Sequence, residues 1–250
     1  MESPYSESNF VALYDRVRPG PPRNLLHLIV QLSGGERPSL VVDLGAGTGK
    51  STVAWAPYAV QVVGIEANPQ MLVRARRASN VTFRKTSADA TGLKSGSADV
   101  VTCSQSFHWM KPKSTIHEIA RIMRRGAVFA AYDYALPPLI DPAVDQAFDS
   151  VLDWARLNPR HPPTTLYRKN LERSGRFRWV REFGMEGFDV GNAKRVIDIA
   201  KSLASVSYRL ESAHGRRVPE WTRFVRTASR TLGQSRKRFW WTYGVVLAVK

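Results

Sequence analysis

Cysteine is almost absent from the 250-residue chain, where only Cys103 occurs. That excludes an internal disulfide framework and argues against a cysteine-ligated metal site, so no metal is expected. It also fits a reducing compartment, and a cytoplasmic protein is the expectation. No apolar run approaches the roughly 20 residues that a membrane-spanning helix requires. The opening "MESPYSESNF" has no basic stretch followed by an apolar one, so a secretory signal is not expected there. Repeats and low-complexity segments are missing too. Acidic residues are the last scarcity: 21 Asp and Glu face 37 Lys and Arg, a formal net charge of +16. Such an excess suits an anionic partner such as nucleic acid or a membrane surface, or charge spread over solvated faces. It rises mildly toward the C-terminal half, with local clusters such as "SRKRF" rather than a basic tail.

Apolar residues, by contrast, make up 43% of the chain and aromatics 10%. That is enough for a real core, and the length suits one α/β domain with additions. "SLVVDLG" (39–45), "VQVVGIEA" (60–67), "VTFRKT" (81–86), "ADVVTCSQ" (98–105) and "AVFAAYDY" read as buried strands. Between them lie helical patterns: Lys50–Ala56, "NPQMLVRARRA" capped by Asn68 with Pro69 at its first position, and "KPKSTIHEIARIMRRG" ending on Gly126 as C-cap. Strands alternating with helices in this way predict a Rossmann-like, doubly wound parallel sheet. After Tyr134 the pattern changes. Asp141–Leu157 reads as a helix and "NPRHPPTTLY" as a Pro-rich connection. Phe177–Val190 reads as an irregular strand, and Ala193–Ser205 and Pro219–Leu232 as helices. Arg238–Lys250 is a closing strand that completes the first sheet.

"VVDLGAGTGKST" (Val41–Thr52) poses the functional question. A triphosphate-binding loop would need a glycine at position 44, which is Leu44; Gly45 leaves one residue too few before Gly49. A dinucleotide fingerprint would need a third glycine at position 50, which is Lys50. The spacing is G-x-G-x-G, and Asp43 precedes it. A carboxylate there repels a pyrophosphate and suits a ligand with positive charge at that end, such as S-adenosylmethionine (SAM). Its glycines let the backbone approach the ligand. Glu66 ends the second strand, where a carboxylate accepts ribose hydroxyls, and Asp89 follows the third, within reach of an adenine amino group. Three acids at consecutive strand ends around a glycine loop match the place where open parallel sheets bind ligands.

With these segments the chain resembles class I SAM-dependent methyltransferases. The resemblance covers about residues 10–134, and "YDRVRPGPP" looks like the Tyr-x-x-x-Arg-Pro lead-in of a subgroup similar to trans-aconitate methyltransferases. It implies one methyltransferase domain over 1–250: an N-terminal helical lid (1–38), a SAM-binding core (39–134), a helical cap inserted after strand five (135–176) and a C-terminal completion of the sheet (177–250). The sheet would have seven strands, the last antiparallel. Carried over by position, Asp43 with Gly45, Ala46, Gly47 and Gly49 would meet the methionine moiety. Glu66 would bind the ribose, Ala67 and Met71 would flank the adenine, and Asp89 with Ala90 would bind its edge. Ser104 and Gln105 would line the methyl-donor end, and Tyr14 and Arg18 would close over the ligand. Gly126-Ala127 stands where the family usually has Gly-Gly.

Methyl transfer from a sulfonium is an in-line displacement that needs alignment more than acid–base help. "CSQSFHWM" nevertheless offers His108 just beyond strand four, either as a base for a protic acceptor or, with Trp109, as pocket wall. The motif of exocyclic-amine nucleic-acid methyltransferases is missing after strand four, and Cys103 lies inside an apolar strand. A small-molecule acceptor is therefore favoured, roofed in part by Phe148, Trp154, Leu157, Leu166 and Tyr167. The alternatives are an RNA methyltransferase using the basic surface, or a SAM-binding interaction protein without catalysis.

Overall fold

The computed structural model describes residues 8–157 and 164–250. Seven strands form one sheet: β1 (Leu40–Leu44), β2 (Gln61–Glu66), β3 (Val81–Lys85), β4 (Ala98–Ser104), β5 (Met123–Tyr134), β6 (Trp179–Gly191) and β7 (Lys237–Val249). Their order is β3-β2-β1-β4-β5-β7-β6. The β1–β2, β1–β4, β2–β3 and β4–β5 pairs are parallel, and β7 runs antiparallel to β5, with Val128 opposite Val249. This is the expected Rossmann-like sheet with its last strand reversed. The central strands read as apolar runs because both faces are covered. β4 is buried from Ala98 to Cys103, whereas β3 at the edge is largely exposed.

The chain divides into two compact units. One comprises Gly20–Tyr134, Pro162–Met185 and Tyr243–Lys250 and holds β1–β5. In it, helix α2 (Arg23–Leu32) buries Leu25, Leu26 and Ile29, and α5 (Pro112–Ile122) buries Ile116, Ile119 and Ile122 at helical spacing. The short helices α3 (Lys50–Ala54) and α4 (Pro69–Val73) follow β1 and β2, and α7 (Thr164–Arg173) packs on β5. The other unit comprises Met1–Pro19, Ala135–His161 and Glu186–Thr242. It contains α1 (Ser8–Val17), α6 (Pro142–Trp154), α8 (Ala193–Lys201), α9 (Ala204–Ser212) and α10 (Pro219–Leu232). Here Phe148 of α6 meets Phe224 of α10, ring centroids 5.0 Å apart. No helix among the described residues is long and apolar enough to cross a membrane.

Four expectations change. The helix after β2 stops at Val73 instead of running on to Ala78. It buries no side chain, and the Arg76 N–H leaves it to donate to Thr48 O of the glycine loop at 3.0 Å. Gly126 is not the C-cap of α5, because the chain turns extended at Met123, which pairs with Ala98, and Gly126 N donates to Lys250 O. Buried strand pairing outweighs helix propensity at this point. The connection expected over 158–167 lies partly outside the described residues, and its Thr164–Tyr167 opens α7, with Thr164, Tyr167 and Leu171 buried as one stripe. The helix expected through Ser205 ends at Lys201, Ser202 returns its hydroxyl to Ile199 O, and α9 follows where no helix was expected. Of the expected cap, α6 belongs to one unit and α7 to the other.

Candidate active site

The site grows from the end of β1. Asp43 is fully buried, and three hydroxyls donate to it: Ser51 and Thr52 to Oδ2, both at 2.7 Å, and Thr102 to Oδ1 at 2.9 Å. Burial pushes its carboxyl above the ordinary range, partly offset by these hydroxyls. Asp43 thus ties β1 to the start of α3 and to β4, beneath the loop.

The glycine loop is held by its own backbone donors. Gly45 N and Ala46 N both donate to Ile65 O, at 2.8 and 3.0 Å, and Gly49 N donates to Ala46 O at 2.8 Å. Gly47 N donates to Glu66 Oε2 at 2.8 Å, and the other oxygen of Glu66 accepts Asn68 N at 2.7 Å. Gly45 has φ +69°, and a Cβ there would lie 2.6 Å from Ser106 Cβ, so only glycine fits. Gly47, at φ +56°, differs: a Cβ there would meet no heavy atom within 4 Å. The loop amides are turned inward, while the backbone at Gly47 borders open space.

The end of β3 is linked to this loop through Thr86, whose N–H donates to Glu66 O and whose hydroxyl donates to Ala90 O. Asp89 accepts from the Ser114 hydroxyl of α5 at 3.0 Å, and hydroxyl donors from Ser87 and Ser114 hold its carboxyl below the ordinary range. Ala67 is exposed and Met71 half-buried on α4. At the end of β4, Ser104 is half-buried and Gln105 takes φ +54°. That left-handed backbone is strained for a residue with a side chain. Two bonds to β5 hold it: Gln105 N to Tyr132 O at 3.0 Å and Nε2 to Tyr134 O at 3.2 Å. Ser106 then donates to Leu44 O at 2.7 Å, fastening the end of β4 to the end of β1.

A 3-10 turn (Phe107–Trp109) carries His108 out of β4. Its Nδ1 lies 3.1 Å from Tyr167 Oη, which donates to Asp133 Oδ2 at 2.6 Å. Asp133 did not figure in the sequence reading of this site, and Tyr167 figured only as part of the roof over the acceptor. Asp133 ends β5 under the same rule that singled out Asp43, Glu66 and Asp89, so a signal was present. Tyr167 had only its aromatic character, placed in the cap. Trp109 is 73% exposed, its ring centroid 5.1 Å from that of His108. Cys103 is buried, and its thiol is pushed up by burial, then by Asp43, which leaves it inert as a nucleophile.

Among the expected site residues, Tyr14 and Arg18 lie in the other unit. There Arg18 donates from Nε to Ser202 Oγ at 2.8 Å and from Nη2 to Ser202 O at 3.0 Å, with its guanidinium over the Tyr14 ring. Phe148 is fully buried against Phe224, the Arg209 guanidinium lies over Trp154, and Leu166 is 57% exposed.

Residues 42–131 match the family described as methyltransferase domain. Over 146 residues the chain is 32% identical to the Saccharomyces cerevisiae protein described as probable S-adenosylmethionine-dependent methyltransferase CRG1, covering 55% of this chain and 50% of that one. The chain spans about half the length of the curated relatives it matches. A solved structure from Anaeromyxobacter dehalogenans, provisionally described as a type II methyltransferase, superposes with TM-score 0.71 at 21% identity, covering 92% of this chain and 96% of that one. A second, phosphoethanolamine N-methyltransferase 2 of Haemonchus contortus with bound S-adenosylhomocysteine, superposes with TM-score 0.55 at 15% identity, covering 97% and 57%. Residues 42–131 are therefore a methyltransferase domain, carried on the class I methyltransferase fold.

Proposed function

We propose that the chain is a SAM-dependent methyltransferase that transfers the methyl group to a small-molecule acceptor. The observation that carries this reading is the state of the loop amides. A phosphate needs free N–H donors, yet the amides of Gly45, Ala46, Gly47 and Gly49 already donate to protein acceptors. What the site offers instead is carboxylate. Glu66 keeps further lone pairs beyond its two backbone donors, and these suit ribose hydroxyls. Such an acceptor set fits SAM, which supplies a methyl on a sulfonium when bound. In this reading the backbone at Gly45, Ala46 and Gly47 faces the methionine moiety, with Gly49 and the buried Asp43 holding the loop. Ala67 and Met71 flank the adenine, Asp89 and Ala90 take its edge, and Ser104 and Gln105 line the methyl-donor end.

Two observations support a small-molecule acceptor. "CSQSFHW" stands where exocyclic-amine enzymes carry their proline-rich motif, and Cys103 is buried. The Tyr14-x-x-x-Arg18-Pro19 lead-in supports a place in the trans-aconitate-methyltransferase-like subgroup. Arg18 and Tyr14 serve there to seat α1 on α8 through Ser202, and the single buried cysteine supports a cytoplasmic setting. Titration calorimetry tests the reading: SAM and its demethylated product bind, and ATP and NAD do not. Tight ATP binding without SAM binding overturns it, and labelled methyl incorporated into tRNA or rRNA overturns the choice of acceptor.

A further inference from the structure

A buried polar chain runs from the end of β5 to His108. Asp133 is 3% exposed; its Oδ2 accepts from Tyr167, and its Oδ1 is buried with no hydrogen-bond partner. A half-satisfied buried carboxylate is costly and calls for a reason. Tyr167 is equally buried and is braced edge-on by Phe107, ring centroids 5.0 Å apart at 88°. Burial, then the charge of Asp133, holds its phenol well above the ordinary tyrosine range, so the phenol keeps its proton.

The phenol has one hydrogen to donate, and it lies along the 2.6 Å contact to the carboxylate. Toward His108 Nδ1, 3.1 Å away, the phenol oxygen therefore acts as acceptor. Nδ1 then carries the ring hydrogen, and Nε2 keeps the lone pair.

We propose that Asp133 and Tyr167 are positioning residues that hold His108 as its Nδ1–H tautomer, with Nε2 available to take a proton from the methyl acceptor. This rests on the methyl-transfer reading above. In transfer to a hydroxyl, the new O–CH3 bond forms as the S–CH3 bond breaks, the bond's electron pair stays on sulfur, and the hydroxyl proton passes to Nε2. The imidazolium so formed has its Nδ1 3.7 Å from Asp133 Oδ2, which offsets the charge. The proton then leaves to water.

Nitrogen-15 NMR of the full chain tests the assignment. His108 signals are identified by their loss in His108→Gln, and the tautomer is read where the ring is neutral. The wild type shows Nδ1–H. In Asp133→Leu the phenol loses its carboxylate and donates to Nδ1 instead, so the ring reverses to Nε2–H; a merely structural role for Asp133 produces no such reversal. If Asp133→Leu does not fold, Tyr167→Phe takes its place, and the Nδ1–H preference falls. A wild-type ring found as Nε2–H, or a folded variant with the tautomer unchanged, overturns the proposal. SAM calorimetry on the same wild-type sample separates the two readings: absent binding removes the methyl-transfer reading and leaves the tautomer result standing.

Discussion

Glu66 closes the glycine loop over the end of β2, taking the Gly47 N–H at 2.8 Å on one oxygen and the Asn68 N–H at 2.7 Å on the other. The same carboxylate is thus part of the loop's scaffold and the acceptor proposed for the ribose. Its removal acts on both. Hydrogen bonds to a charged group are worth about 1.5–3 kcal/mol, so Glu66→Ala weakens SAM binding by roughly tenfold to a hundredfold. Calorimetry on the folded variant checks this, and unchanged affinity removes Glu66 from the ribose site.

Gly45 and Gly47 separate fold from ligand. Both hold left-handed φ, which costs an alanine about 1–2 kcal/mol. At Gly45 the added Cβ also runs into Ser106, a further overpacking cost of about 1–3 kcal/mol. At Gly47 the Cβ points into open space. Denaturant unfolding should show Gly45→Ala as the more destabilised variant. Gly47→Ala should lose more SAM affinity than its stability loss explains. Equal stability losses would mean that the Ser106 contact relaxes freely.

Glu118 binds the Thr91 hydroxyl at 2.6 Å, the Thr91 N–H at 2.9 Å and the Arg121 guanidinium. The Arg121 hydrogen bond first, and the Thr91 bonds with it, hold its carboxyl at about 2. A depressed folded pKa gives stability that is present above the unfolded value, near 4.5, and lost as pH falls toward 2. Glu118→Gln therefore destabilises by about 1.5–3 kcal/mol at pH 7, and the gap to wild type narrows as pH falls below about 5. Urea unfolding at a series of pH values reads it; a gap independent of pH speaks against an ionised Glu118.

Asp43 has the opposite sign. Its folded pKa is raised by burial, so its contribution is fully present below the ordinary carboxylate range and falls as pH rises through the folded value. Asp43→Asn carries no such titration. The stability of wild type relative to Asp43→Asn should therefore decline as pH rises from about 4 and then level off. A relative stability that climbs with pH would show that the three hydroxyls outweigh desolvation.

Much of this was legible in the chain because the relevant forces are local or periodic. The apolar runs ending in Leu44, Glu66 and Ser104 locate three strand ends, and Asn68 with Pro69 marks the start of α4 as observed, its side chain accepting Gln70 N. What escaped depends on distant partners. Met123 leaves its helix for a place opposite Ala98, and Arg76 is drawn off by Thr48 O; neither partner is visible in a window around the residue. In the site, the acids at strand ends stood out by position. The inward turn of the loop amides and the left-handed Gln105 did not, since both depend on carbonyls from neighbouring strands. Tyr167 reaches His108 from a helix whose start follows two prolines, and proline there read as a connection.

The pairing of β5 with β7 also has a meaning for synthesis. A ribosome delivers Val128 long before Val249, its partner in the sheet. Until then the inner edge of β5, with Val128, Phe129 and Ala130 among its residues, has no neighbour on that side, and an unpaired apolar edge templates association with other chains. A nascent chain arrested before Tyr243 thus holds the whole glycine loop and Glu66, yet carries the apolar stretch of β5 as an open edge. Completion of the sheet waits on β7, the strand that returns to β5 from far along the chain.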